Sequence, residues 1–275
     1  MTFLDSLLTA QRTNNSLLCV GLDTDPAKLP AILRNEADPS TVFNRKIIEA
    51  TKDLVCAYKL NLAFYESMGE RGWAALHETL AMIPGGIVTI GDAKRGDIGN
   101  SSEMYARALA QDFKFTASTV SPYMGTDSVL PFIRNSDHGA FILALTSNPG
   151  AKDFQYLKVK GRPLYEEVVR KVVKWNTNRN CGLVVGATRP ADLKRIRGLA
   201  KDLPILIPGV GAQGGNLKNA VRYGCDKHGE RAIINASRSI LYASGGVDFA
   251  EAARLEAVAM RDAMNEVREK YFSRL

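Results

Sequence analysis

Short apolar runs recur along the chain, and between them apolar positions fall at helical spacing. The first run is Ser16-Leu17-Leu18-Cys19-Val20-Gly21-Leu22, ended by Asp23 and the break Thr24-Asp25-Pro26. The second is 54–60, with Lys59 near its C-terminal end, and the third is 87–90, which leads into Gly91-Asp92-Ala93-Lys94. Runs at 117–120, 140–145, 182–187, 204–208 and 231–235 bring the count to eight. None alternates apolar with polar, as a half-exposed strand does. Amphipathic spacing predicts helices over 41–53, 63–82, 102–112, 128–135, 164–176, 190–201, 216–223 and 249–271. Asn100-Ser101-Ser102-Glu103 reads as the entry to the third of these. A polar loop is predicted from Ser147-Asn148-Pro149-Gly150 to about Arg162.

Continuous apolar strands separated by helices predict a parallel sheet covered on both faces. Eight such units in one chain predict a closed (β/α)8 TIM barrel of class α/β. The competitor is a doubly wound open sheet, but no dinucleotide fingerprint follows the first run. Neither a linker nor a low-complexity segment interrupts the pattern, so residues 1–275 are expected to form a single barrel domain.

Composition adds exclusions. With 45% hydrophobic and 24% charged residues, the chain matches an ordinary globular protein with a large core. No apolar run reaches membrane-spanning length, and Met1-Thr2-Phe3-Leu4-Asp5-Ser6 lacks the basic start and long apolar core of a signal peptide. Cys19, Cys56, Cys181 and Cys225 are far apart, mostly within strand-like runs, and are expected to be buried core residues. No cysteine pair has zinc-ligand spacing, and His77, His138 and His228 are isolated, so no metal is assigned. These features favour a cytoplasmic location. The net charge of +7 fits an anionic small molecule or nucleic acid equally. No aromatic residues interleave with the basic ones as a stacking platform for bases requires, so no nucleic-acid partner is expected, and no membrane partner.

The candidate chemistry lies at the ends of the runs. Asp92 and Lys94 are two apart and point the same way on a strand, and Asp97 follows past a Gly turn. Two carboxylates and an ammonium are thereby crowded together, an arrangement that resists joint ionisation and is found where chemistry is done. Alone, the triplet fits a surface salt bridge at a strand end equally well. In a barrel, however, strand C-termini converge on one mouth. Asp23, Lys59, Asp92, Lys94, Ser147, Gln213 and Arg238 all fall at such ends. The Gly-rich stretch Gly209-Val210-Gly211-Ala212-Gln213-Gly214-Gly215 and the following Ala236-Ser237-Arg238 lie after runs seven and eight, where barrels often bind phosphate. The residues alone therefore predict a barrel enzyme acting on a small phosphate ester, and leave the reaction open.

Asp92-x-Lys94-x-x-Asp97-Ile98, with Asp23 after the first run and Lys59 after the second, resembles the orotidine 5′-phosphate decarboxylase family. Ser147-Asn148-Pro149-Gly150, Pro208-Gly209-Val210-Gly211-Ala212-Gln213-Gly214-Gly215 and Ser237-Arg238 extend the resemblance over about residues 16 to 240, in the family's order. Asp92-Ala93-Lys94-Arg95-Gly96-Asp97-Ile98-Gly99 is most similar to the longer bacterial-type branch. The resemblance implies decarboxylation of orotidine 5′-phosphate to UMP, the last step of de novo UMP synthesis, without metal or cofactor. It implies that Asp23 and Lys59 hold ribose hydroxyls, with Asn61 assisting, and that Lys59 joins the charged network. By the same resemblance, Asp92 is expected beside the substrate carboxylate, and Lys94 is expected to protonate pyrimidine C6 as carbon dioxide leaves. Asp97 and Ile98 reach into the partner's site in a homodimer with shared active sites. The resemblance also implies that Ser147 contacts the pyrimidine and that Gln213 and Arg238 bind phosphate, with Gln213 on a loop that closes over the ligand. Pro208 and Ser237 belong to the same binding motifs, and Ser101 stands where the family often has Thr.

The implied chemistry is physically coherent. A carbanion at C6 lacks good delocalisation and needs a cation beside it in a water-poor site, a role that suits Lys94. The nearest rival is the magnesium-dependent keto-sugar-phosphate decarboxylases and aldolases, which resemble this chain in the Asp-x-Lys-x-x-Asp cluster. They place an acidic ligand after strand two, where this chain has Lys59. A Schiff-base aldolase with Lys94 or Lys59 as nucleophile is disfavoured because the flanking carboxylates favour the unreactive ammonium.

Overall fold

The computed structural model describes residues 1–210 and 215–272. Eight parallel strands close into a barrel: β1 Leu18–Gly21, β2 Ala57–Asn61, β3 Val88–Arg95, β4 Ala117–Val120, β5 Gly139–Leu145, β6 Cys181–Val185, β7 Ile205–Pro208 and β8 Ala232–Ala236. Each pairs in parallel with its sequence neighbours, and β8 pairs with β1 through Leu18–Ile234, Cys19–Asn235 and Val20–Ala236. The continuous apolar character of the strands has its cause here. One set of side chains fills the barrel interior, among them Val88, Ile90, Phe141, Leu206 and Ile233, while the other meets the surrounding helices.

The helices are α1 Phe3–Thr13, α2 Pro39–Thr51, α3 Leu62–Glu66, α4 Glu70–Met82, α5 Gly99–Arg107 and α6 Thr126–Ile133, then α7 Ala151–Phe154, α8 Leu164–Trp175, α9 Pro190–Leu199, α10 Leu217–Gly224, α11 Arg238–Leu241 and α12 Phe249–Phe272. No helix among the described residues is long and apolar enough to cross a membrane.

α1, which the spacing of apolar runs does not predict, joins the interior cluster of the barrel. Thr2 and Asp5 form a reciprocal capping box at its start. Phe3 and Leu7 are fully buried within that cluster, and the Phe3 ring meets Phe141 edge-on at 5.6 Å. Each such burial stabilises by about 1.5–3 kcal/mol. Gly139 is required beneath it, because a Cβ there would lie 2.5 Å from the Phe3 ring. At the other end of the chain, α12 packs against α2 and α10, burying Phe249, Ala253, Ala257 and Met264. Its Arg254 pairs with Asp53 at 2.7 Å.

Several boundaries depart from the predicted ones. The single helix expected over 63–82 is two, broken at Gly69, whose φ of +61° no ordinary helix interior accepts. α5 begins at Gly99, ahead of the Asn100–Glu103 entry. Ser102 does not cap it; the Ser102 hydroxyl donates instead to the Ser128 carbonyl at 2.8 Å, tying α5 to α6. The loop expected up to Arg162 carries α7 and a short hairpin pairing Lys158–Val159 with Arg162–Pro163. β3 runs on through Asp92 and Lys94 to Arg95.

Candidate active site

The C-terminal ends of the strands enclose a cavity of about 600 Å3. Leu143, Val184 and Leu206 contribute apolar lining, and the charged residues enter from the β1–β3 side apart from Arg238, which follows β8. Asp23 follows β1 at a crowded point. A Cβ on Gly21 would lie 2.0 Å from the Ser237 Oγ, so only glycine lets β1 and the end of β8 approach this closely. Ser237 Oγ then donates to Asp23 Oδ2 at 2.8 Å, and the Asn61 backbone N–H donates to Asp23 Oδ1 at 3.2 Å. The Asn61 side-chain oxygen caps α3 by accepting from Ala63 N.

Lys59 Nζ lies 3.0 Å from Asp23 Oδ1 and 3.3 Å from Asp92 Oδ2, with only 5% of its side chain exposed. Asp92, 11% exposed, also meets Lys94 Nζ at 2.8 Å through Oδ1. The charges form a row, Asp23, Lys59, Asp92, Lys94, in which each sign neighbours the opposite one. The crowding that looked costly in sequence is thereby resolved. Burial alone would pull the Lys59 ammonium down, but Asp23 and Asp92 outweigh it and hold its pKa above the usual lysine range. Burial would push Asp92 up, but Lys59 and Lys94, with hydrogen bonds from Lys94 and Thr119, hold it at about 2.

Those directions fix a pH dependence. Asp92 has a folded value below its unfolded one, so its contribution to stability is present above about pH 4 and fades as pH falls towards about 2. Lys59 has the opposite sign, and its contribution is lost only above the ordinary lysine range. Asp92→Asn is expected to cost about 2 kcal/mol near neutral pH, with the difference from the parent shrinking between about pH 4 and 2. Urea unfolding of both proteins across that range measures it, and a pH-independent difference contradicts the assignment.

Lys94 adopts φ +48°, in the left-handed region, at a point where the pairing of β3 with β4 shifts register between Gly91 and Arg95. The irregularity lies next to the side chain at the centre of the site. Thr119 on β4 accepts a hydrogen bond from Lys94 N at 2.9 Å and donates one to Asp92 Oδ1 at 2.8 Å.

On the opposite wall, Thr146, Ser147 and Asn148 follow β5. Gln155 grips this turn from the insertion: its Oε1 accepts from Thr146 N and its Nε2 donates to Thr146 Oγ1, both at 2.8 Å. Pro208, Gly209 and Arg238 line the rim, with Arg238 exposed and Gly209 at φ +90°. Gln213 lies outside the described residues.

The structure thus brings Asp23, Lys59, Asn61, Asp92, Lys94, Ser147, Pro208, Ser237 and Arg238 to one cavity. It does not bring Asp97, Ile98 or Ser101 there. The Asp97 carboxylate accepts from its neighbour Ile98 N at 2.8 Å, Ile98 is 59% exposed, and Ser101 is exposed. Sequence reasoning missed Thr119, Asn235 and Tyr242. Thr119 and Asn235 were visible as polar residues within the fourth and eighth runs. Tyr242, whose hydroxyl accepts from Asp25 N at 2.8 Å, carried no such signal.

Comparison with known proteins bears on this geometry. Residues 16–253 match the model of the Orotidine 5′-phosphate decarboxylase / HUMPS family. A curated orotidine 5′-phosphate decarboxylase of Dehalococcoides mccartyi is 51% identical, the match covering 98% of this chain and 100% of that relative. One from Herpetosiphon aurantiacus is 51% identical, covering 94% and 96% respectively. The solved structure of Leishmania donovani OMP decarboxylase superposes with a TM-score of 0.86 at 39% identity, covering 98% of this chain and 99% of that one.

Proposed function

The chain belongs to the orotidine 5′-phosphate decarboxylase / HUMPS family, and from that premise we propose how its barrel mouth converts orotidine 5′-phosphate to UMP. The observation that carries the reading is the alternating row Asp23, Lys59, Asp92, Lys94 along one wall of the cavity. The substrate's pyrimidine lies over the apolar lining with its carboxylate toward Asp92. The C6–carboxylate bond breaks, carbon dioxide leaves, and the electron pair stays on C6. Lys94 Nζ stands beside that developing charge and donates a proton to C6, giving UMP. A positioned cation stabilises such charge without reorganisation at the moment of reaction. Lys94 is 49% exposed, so it regains its proton from solvent.

Asp23 and Lys59 bind the ribose hydroxyls, with Asn61 helping through its place beside Asp23. Ser147 contacts the pyrimidine from the opposite wall. Arg238, with Pro208, Ser237 and Gln213, receives the phosphate. The four cysteines are free and buried, which supports a cytoplasmic setting.

The magnesium-dependent rival finds no support in the charge row. Lys59 Nζ occupies the space between Asp23 and Asp92 where a divalent cation would sit, and its own charge would repel one. Incubation with orotidine 5′-phosphate and excess chelator, followed by ultraviolet absorbance, tests this. Full conversion is expected. Activity that disappears with chelator and returns with magnesium moves the chain to the keto-sugar branch.

Phosphate binding, remote from C6, is expected to drive closure and to contribute to turnover. Arg238→Ala should weaken substrate binding by ~2–4 kcal/mol, as loss of a charge-assisted contact does, with part of the loss appearing in kcat. Steady-state kinetics reads both, and an unchanged KM places the phosphate elsewhere.

We further propose a homodimer in which Asp97, Ile98 and Ser101 complete the partner's site. The support is that these residues lie outside the lining of their own cavity, beside several exposed apolar side chains. Ile98, Met104, Tyr123, Met124 and Leu130 are exposed on α5, α6 and the segments leading into them. An apolar surface of this kind marks an interface.

A further inference from the structure

We infer that Thr119 is a positioning residue for the decarboxylation: one hydroxyl orients the Asp92 carboxylate and holds the backbone turn that aims Lys94. This rests on the roles proposed above for Asp92 and Lys94. Thr119 is 1% exposed on β4, between Ser118 and Val120. Its Oγ1 lies 2.9 Å from Lys94 N and 2.8 Å from Asp92 Oδ1. The chemistry of the partners fixes the direction of both bonds. A backbone N–H only donates, so the hydroxyl accepts from Lys94. An ionised carboxylate only accepts, so the single hydroxyl proton is committed to Asp92. No alternative proton arrangement satisfies both contacts.

The backbone contact falls where it is most needed. Lys94 holds a left-handed φ of +48°, and β3 slips register against β4 between Gly91 and Arg95. A regular ladder hydrogen bond is interrupted there, and the Thr119 side chain takes up the Lys94 N–H in its place. The carboxylate contact fixes rotation. Asp92 Oδ1 receives both Thr119 Oγ1 and Lys94 Nζ, each at 2.8 Å, leaving Oδ2 toward Lys59 at 3.3 Å. Lys59 and Lys94 are long side chains that can follow a turning carboxylate. Thr119 cannot, because its buried hydroxyl is also held by the Lys94 N–H. It is the rigid reference for the pair.

Thr119→Val keeps the shape and deletes the hydroxyl. With orotidine 5′-phosphate, kcat is expected to fall by ~30-fold or more while KM stays within about threefold, since small misplacements of reacting groups cost that much. A UMP analogue bearing an ionised oxygen at C6 should lose affinity by a comparable factor, because it places charge where Lys94 must be aimed, while UMP itself binds as before. Thr119→Ser returns the hydroxyl and should restore most of the activity. Thermal unfolding by circular dichroism monitors the fold, and Thr119→Ala carries the same comparison if the valine variant does not fold. Three results each overturn the inference. One is a valine or alanine variant with near-parental kcat and an unchanged preference for the anionic analogue. Another is an equal loss of affinity for UMP and the analogue. The third is a serine variant as impaired as valine. Lys94→Ala, assayed alongside, separates the two readings. If it keeps parental turnover, the proposed role of Lys94 fails. If it is inactive and Thr119→Val is not impaired, only the role of Thr119 fails.

Discussion

Lys94→Ala is expected to lower kcat on orotidine 5′-phosphate by ~10⁴-fold or more, because in the proposed mechanism one side chain supplies both a general acid, typically ~10²–10⁴-fold, and charge stabilisation, typically ~10²–10³-fold. No neighbour can substitute. Lys59 is the other ammonium in the row, but it is buried between Asp23 and Asp92 on the side away from Lys94. The fold should survive the change. Lys94 is half exposed, and after its removal Asp92 still has Lys59 and the Thr119 hydroxyl. UMP affinity should therefore change little, since the product lacks the charge that Lys94 answers. Absorbance assays at saturating substrate, with UMP titration and thermal unfolding as controls, check all three statements. Retention of even a hundredth of parental turnover indicates that another group protonates C6.

The barrel itself was legible because its strands are buried on both faces and most of them therefore read as continuous apolar runs. A run such as Ala117-Ser118-Thr119-Val120 is short, but eight such runs between helical segments admit few architectures, and β4 lies on the predicted residues. Strand ends then named most of the cavity, since in a closed parallel barrel all C-termini share one mouth. What sequence could not supply falls into two kinds. Backbone conformation is one: nothing in Ala93-Lys94-Arg95 signals a left-handed lysine or a register shift, because both arise from how β3 meets β4. Long-range polar pairing is the other. Thr119 looked like a β-branched strand former, and its functional reading needs Asp92, which lies 27 residues away in sequence. Tyr242 needs Asp25 across nearly the whole chain. Gly69 belongs with the backbone conformations. Amphipathic spacing continues through it, so periodicity alone joined α3 to α4.

Lys94→Ala and Asp97→Asn are each expected to be nearly inactive as homodimers, yet to recover activity when mixed. Asp92 and Lys94 enter their own cavity from β3, whereas Asp97 sits beyond the turn at Gly96, outside that cavity, with its carboxylate accepting only the adjacent Ile98 N–H among the described residues. A two-fold interface over the exposed apolar surface around Ile98 would carry each Asp97 to the other subunit's mouth. In a hybrid dimer one mouth then holds intact Lys94 with intact Asp97, and the other holds both defects. Random assortment makes about half of the dimers hybrid, each with one working site, so roughly a quarter of parental activity should return if subunits exchange freely and sites act independently. Exchange is followed separately by a label on one variant. If labelled hybrids form and activity stays absent, Asp97 serves its own subunit. That outcome would require the β3–α5 turn to swing inward on substrate binding, since in its present position Asp97 lies outside its own mouth.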